Sequence, residues 1–145
     1  MNCFNDQPHA NMLLSSVAST LTTLEIIVSS NAKMPNTFFP CLKKLRIQHA
    51  SQDMSWIDAP QLTTLFLDTF LPTSIFSVKW YIKIFQGFSL PNVQNLCLFH
   101  INNNIVHPSI LSLPLKSLWL THCSVIFDNA IQLIQSFPDL TEVSI

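Results

Sequence analysis

One phrase recurs along this chain and constrains its fold more than any other feature: Leu-x-x-Leu-x-Leu, with other aliphatic residues accepted at each apolar position. It reads Leu21, Leu24, Ile26; then Leu42, Leu45, Ile47; Leu62, Leu65, Leu67; Val93, Leu96, Leu98; Leu115, Leu118, Leu120; and Leu140, Val143, Ile145. The middle positions, 24, 45, 65, 96, 118 and 143, are separated by 21, 20, 31, 22 and 25 residues. Pro40, Pro60, Pro91 and Pro138 each stand two residues ahead of a phrase, and Pro114 stands directly before its own. A period of this length marks a supersecondary unit repeated along the chain.

The last two apolar residues of each phrase flank one residue of the opposite orientation, which is the alternation of a short strand with one buried face. A unit of about twenty residues cannot bury its own apolar face, so neighbouring units must stack, strand beside parallel strand, with return segments on the far side. Proline ahead of the strand fixes φ and offers no donor, as suits a chain turning out of a return segment. Those returns are expected to be helical or irregular. Asp128 can cap a helix whose apolar face is Ile131, Leu133, Ile134 and Phe137, and Pro138 stops it. In the long unit, Ile75, Val78, Ile82 and Phe85 fit a helix face, whereas Val78, Trp80, Ile82 and Ile84 alternate as in a strand.

Composition agrees with a packed domain: of 145 residues, 48% are hydrophobic and 10% charged, enough apolar material for a sizeable core. Seven basic and eight acidic residues, with no long run of either sign, give a net charge of −1. The electrostatic footprint of a nucleic-acid binder is therefore missing. Glu25, Lys79 and Lys83 interrupt the most apolar stretches, so no membrane span is expected. The first basic residue is Lys33, leaving the apolar segment from Met12 to Val17 without the positive flank of a secretory signal. Cys3, Cys41, Cys97 and Cys123 form no CxxC pair and the chain has no Asn-x-Ser/Thr sequon, which favours reduced thiols and an intracellular, cytoplasmic or nuclear, setting.

The unit Leu115, Leu118, Leu120, Cys123, Ile126, Asp128, Ala130, Ile131, Leu133, Phe137, Pro138 and Leu140 resembles the cysteine-containing leucine-rich repeat of F-box/LRR proteins, with Phe137 where the family places a second cysteine. Ile57, Asp58, Ala59, Pro60 and Leu62 are similar to a run in LRR-like regions of fungal F-box proteins. Earlier units have Ser29, Ala50, Phe70 and Ile101 in the place of Cys123, so the cysteine subtype rests on one unit. The resemblance implies an α/β fold: a right-handed leucine-rich-repeat solenoid of short parallel strands. Residues 1–18 would form an N-terminal cap, and 19–145 about six repeats, the last incomplete.

In such a solenoid the residues between the ladder leucines form the concave binding face. Arg46, Gln48, Phe66, Asp68, Cys97, Phe99, Trp119 and Thr121 are the candidate binding residues, and Phe66, Phe99 and Trp119 on successive rungs suggest a contact patch. Glu25, Ser144 and Ile27 continue the same rows. The cluster Lys43, Lys44 and Arg46 is a solvated strand face or a seat for an acidic partner patch.

Catalysis and metal binding find less support. His49, His100 and His122 share one position after the ladder, and Cys123 adjoins His122. Imidazoles at strand ends readily bond turn backbone, however, and no fourth ligand has a recognised spacing, so no metal site is expected. Cys123 is expected in the core, where its pKa would rise, which argues against a nucleophile. Gly87 is the single glycine, excluding GxGxxG and phosphate-loop motifs. The expectation is a non-catalytic protein-interaction module with no cofactor, similar to the substrate-recognition region of a ubiquitin-ligase adaptor. No F-box-like segment is visible in these residues. A degenerate LRR fragment with a structural role, self-associating through an open C-terminal edge, is the alternative.

Overall fold

The computed structural model describes residues 7–27, 35–48, 56–68, 91–99, 112–122, 131–132 and 134–145, with side chains from residue 12 onward. Within them lie α1 (Gln7–Val17), β1 (Thr23–Ile27), β2 (Thr37–Phe38), β3 (Lys44–Gln48), β4 (Ile57–Asp58), β5 (Thr64–Asp68), β6 (Asn95–Phe99), β7 (Ser117–Thr121) and β8 (Glu142–Ser144). Strands β1, β3, β5, β6, β7 and β8 form, in that order, one six-stranded sheet, while β2 and β4 form a two-stranded sheet. Every pairing is parallel, so the chain is an α/β protein built on a parallel sheet.

The six phrases lie in a single register. Leu24 pairs with Leu45, Leu45 with Leu65, Leu65 with Leu96, Leu96 with Leu118 and Leu118 with Val143. The long interval between Leu65 and Leu96 therefore leaves the register unchanged. Because side chains alternate with period two, a one-residue slip would turn every ladder leucine to the wrong face. Burial enforces the register: Leu45, Ile47, Leu65, Leu67, Leu96, Leu98 and Leu118 are all fully buried. Each contributes about 2 kcal/mol relative to an exposed side chain. The first apolar position of the phrase closes the same core through Leu42, Leu62, Val93 and Leu115.

Backbone bonding repeats at every junction. The carbonyl before one strand accepts the amides that open the next: Thr22 O from Lys43 and Lys44, Lys43 O from Thr63 and Thr64, and Thr63 O from Gln94 and Asn95. Gln94 O accepts from Lys116 and Ser117, and Lys116 O from Thr141 and Glu142, all at 2.8–3.1 Å. The proline now has a specific task. Leu42 N donates to Phe39 O, Leu62 N to Ala59 O and Leu140 N to Phe137 O, so Pro40, Pro60 and Pro138 take the second position of a four-residue turn, where their fixed φ is favoured. Pro114 sits one residue nearer its phrase, and the turn tightens accordingly, with Leu115 N donating to Leu113 O at 2.9 Å.

In the first two intervals between strands of the large sheet, where helical or irregular backbone was expected, the described residues include two short parallel strands, β2 and β4. Thr37 N donates to Trp56 O and Phe39 N to Asp58 O, each at 2.7 Å, and Phe39, Trp56, Ile57 and Ala59 are buried. The intervals of 21 and 20 residues leave little chain for a return. Extended backbone retraces a five-residue strand in about five residues, whereas a helix needs about eleven. The β-branched and aromatic residues Thr37, Phe38, Phe39, Trp56 and Ile57 suit extended backbone as well.

In the last return, residues 131–132 and 134–135 are helical and Phe137 is buried, in line with the expected helix, but Ile131 is exposed rather than part of a covered apolar face. Asp128 and Leu133 of that helix, and the whole stretch Ile75 to Phe85, lie outside the described residues. At the other end, α1 sends Leu14 into the core, Ala18 just after it is buried as well, and Met12, Leu13 and Val17 are exposed. Among the described residues no helix is long and apolar enough to cross a membrane.

Candidate functional site

The same alternation that buries the leucines turns three rows of side chains to the other face of the large sheet. The first row, across β1 to β8, is Thr23, Lys44, Thr64, Asn95, Ser117 and Glu142. The second is Glu25, Arg46, Phe66, Cys97, Trp119 and Ser144. The third is Ile27, Gln48, Asp68, Phe99 and Thr121. Neighbours along a row stand about 4.8 Å apart, close enough to bond or stack.

At the β1–β3 end these residues make a small polar network. Glu25 Oε1 accepts from Gln48 Nε2 at 3.0 Å and lies 3.5 Å from Arg46 Nε. That second approach is an ion contact without hydrogen-bond geometry, since Arg46 Nε is closed off from solvent and has no hydrogen-bond partner. Both side chains are about half exposed, which limits the pair to under about 1 kcal/mol. Next to it, Lys44 Nζ sits 4.9 Å from the centre of the Phe66 ring, within cation–π range.

A hydrogen-bonded chain crosses the middle of the first row. Ser117 Oγ donates to Asn95 Oδ1 at 2.6 Å and Asn95 Nδ2 donates to Thr64 Oγ1 at 3.2 Å, tying three strands together. At the far end Trp119 Nε1 donates to Glu142 Oε1 at 3.3 Å, which satisfies the indole and fixes the ring on the face.

All eight candidate binding residues occupy this face, and Arg46, Gln48, Phe66, Asp68, Phe99, Trp119 and Thr121 are half-buried there. Cys97 departs from the expectation of an accessible contact: it shares their register but is 1% exposed. Its short side chain lies in one row between the larger Phe66 and Trp119. Burial pushes the thiol up from 9.0 to about 12, Lys44 opposing and Glu142 reinforcing the shift. Cys97 is thus a covered position in the row between two aromatics. Of the first row only Lys44 was singled out from sequence, in the basic cluster with Lys43 and Arg46, although Thr64, Asn95, Ser117 and Glu142 complete the face. The signal was present, since each lies two residues before a second-row residue on its strand.

His122 follows β7 with φ of 53°, in the left-handed region that histidine enters more readily than most residues. His49, His100 and Cys123 lie outside the described residues, as do Ser29, Ala50, Phe70 and Ile101. Among the described residues no group of three or more His, Cys, Asp or Glu is placed to hold a metal ion. No family model, curated protein or solved structure matches the chain.

Proposed function

We propose that this chain is a leucine-rich-repeat solenoid whose outward sheet face binds another protein without catalysing a reaction. By resemblance, its role is that of the substrate-selecting region of an F-box-type ubiquitin-ligase adaptor working inside the cell. Support for the solenoid comes from the six in-register phrases, the repeated junction bonding and the short β2–β4 returns on the second sheet. The observation that carries the interaction reading is the set of Phe66, Phe99 and Trp119, half-buried on consecutive strands of an outward face. Large aromatics held in place by neighbours are the side chains that dominate protein interfaces, because they bury much area at little further entropic cost.

The test is affinity capture with the wild-type chain beside the double variant Phe66→Ala/Trp119→Ala, each followed by urea titration. Half-buried rings contribute roughly 1 kcal/mol each to folding, so the variant stays folded while capture of the wild-type partner is lost. Undiminished capture by the folded variant refutes the assignment of this face. One observation favours the alternative of self-association: Val143 and Ile145, on and beside edge strand β8, are exposed. Light scattering across a concentration series separates the two readings, since self-association raises the apparent mass and is untouched by Phe66→Ala/Trp119→Ala.

A further inference from the structure

The interaction reading leaves the chemistry of the partner open, but the charges on the face are not evenly used. On β3, Lys44 and Arg46 stand about 6.5 Å apart on one face of one strand. Among the described residues, Lys44 engages only the Phe66 ring, and Arg46 only Glu25, through an ion contact that leaves the outer guanidinium nitrogens unused. Glu25 already serves both Arg46 and Gln48. Four strands away, Glu142 is exposed and gives one oxygen to Trp119 Nε1, leaving its other oxygen free to accept. Cys97, midway, feels Lys44 and Glu142 in opposite senses. The face is therefore cationic at β3 and anionic at β8, and between them the rings of Phe66, Phe99 and Trp119 stand among polar side chains.

We propose that the outward face binds an extended segment of a partner protein that places an aspartate or glutamate on Lys44 and Arg46, apolar side chains over Phe66, Phe99 and Trp119, and a lysine or arginine on Glu142. The proposal rests on the interaction reading and adds a polarity to it. Four strand spacings from β3 to β8 amount to about 19 Å, so acid and base stand roughly six residues apart in an extended peptide. A single carboxylate suits the β3 end, because the guanidinium fork and the ammonium can share its two oxygens. A polyacidic tract does not, since Glu25 on β1 and Asp68 on β5 carry negative charge on the two strands that flank β3.

Selection of a random twelve-residue peptide library on the 145-residue chain tests this. The expected enrichment is one Asp or Glu, five to seven residues from a Lys or Arg, with aromatic or aliphatic residues between. Lys44→Glu/Arg46→Glu should weaken the selected peptides more than about tenfold and, on reselection, exchange the acid for a base. Should that variant not fold, the single substitutions Lys44→Gln and Arg46→Gln should each weaken binding several-fold. Selected peptides that lack the acid, or that bind equally to the β3 variants, overturn the proposed polarity. If those peptides are still lost on Phe66→Ala/Trp119→Ala, the interaction reading survives. Failure to select any binder, or binding indifferent to both sets of substitutions, sinks the two together. A phosphoserine that improves binding more than tenfold over glutamate at the acidic position would replace the carboxylate assignment with a phosphopeptide site.

Discussion

Replacing Leu65 by alanine should be among the most damaging conservative changes in this protein, and the structure says by how much. Leu65 has no exposed surface and sits between Leu45 and Leu96, themselves fully buried. Removing three carbons forfeits about 2.4 kcal/mol of transfer free energy at about 0.8 kcal/mol per group. The walls of the resulting cavity are fixed by the backbone pairing on both sides, so it cannot collapse, and a further 1–2 kcal/mol is expected, about 4 kcal/mol in all. Val143→Ala is the control. It takes one rung of the same ladder, but at the sheet edge, 39% exposed and with a single neighbour, so its cost is about 1 kcal/mol or less. Urea titrations followed by circular dichroism give both values. Near-equal costs for the two variants, or a cost below about 1 kcal/mol for Leu65→Ala, would show that the ladder is not a graded stack with its strongest rungs inside.

Three further outcomes follow from the described residues. In the folded protein, iodoacetamide at pH 8 should modify exposed Cys41 and spare Cys97 until denaturant is added, read by mass mapping of the peptides. The thiol of Cys97 is held at about 12 against 9.0 unfolded, so its protonated form adds stability that is complete below pH 9 and is lost as pH rises towards 12; alkaline unfolding of Cys97→Ala should be correspondingly less steep. At His122, with φ of 53°, the valine variant should be about 1–2 kcal/mol less stable than the glycine variant by urea titration, because a β-branched residue resists the left-handed region that glycine enters freely.

The ladder was legible because period-two burial writes itself into sequence: Leu45, Leu65, Leu96 and Leu118 align by their place in the repeated phrase alone, and they pair as aligned. The outward rows followed by subtraction. What sequence could not provide was each outward residue's exposure. Cys97 and Phe66 occupy equivalent positions, yet one is buried and the other half-buried, because exposure depends on the side chains around a position and not on its place in the strand. Strands β2 and β4 were missed for a different reason: at two residues each they are too short to show alternation, and their pairing is set by chain length between rungs. The charge polarity of the face was hidden as well, since Lys44 and Glu142 lie nearly a hundred residues apart and become related only through four intervening pairings.

The most direct test of the account is a methyl NOE experiment on leucine-labelled protein, because it reads the stacking order itself. Strand spacing of about 4.8 Å brings methyls of adjacent rungs together and separates those two rungs apart. Leu65 should show contacts to Leu45 and Leu96, and Leu96 to Leu65 and Leu118, with none between Leu65 and Leu118. Loss of the Leu65–Leu96 contact, or a contact that joins Leu67 to Leu96 as register partners, would contradict the single continuous ladder on which the outward face depends.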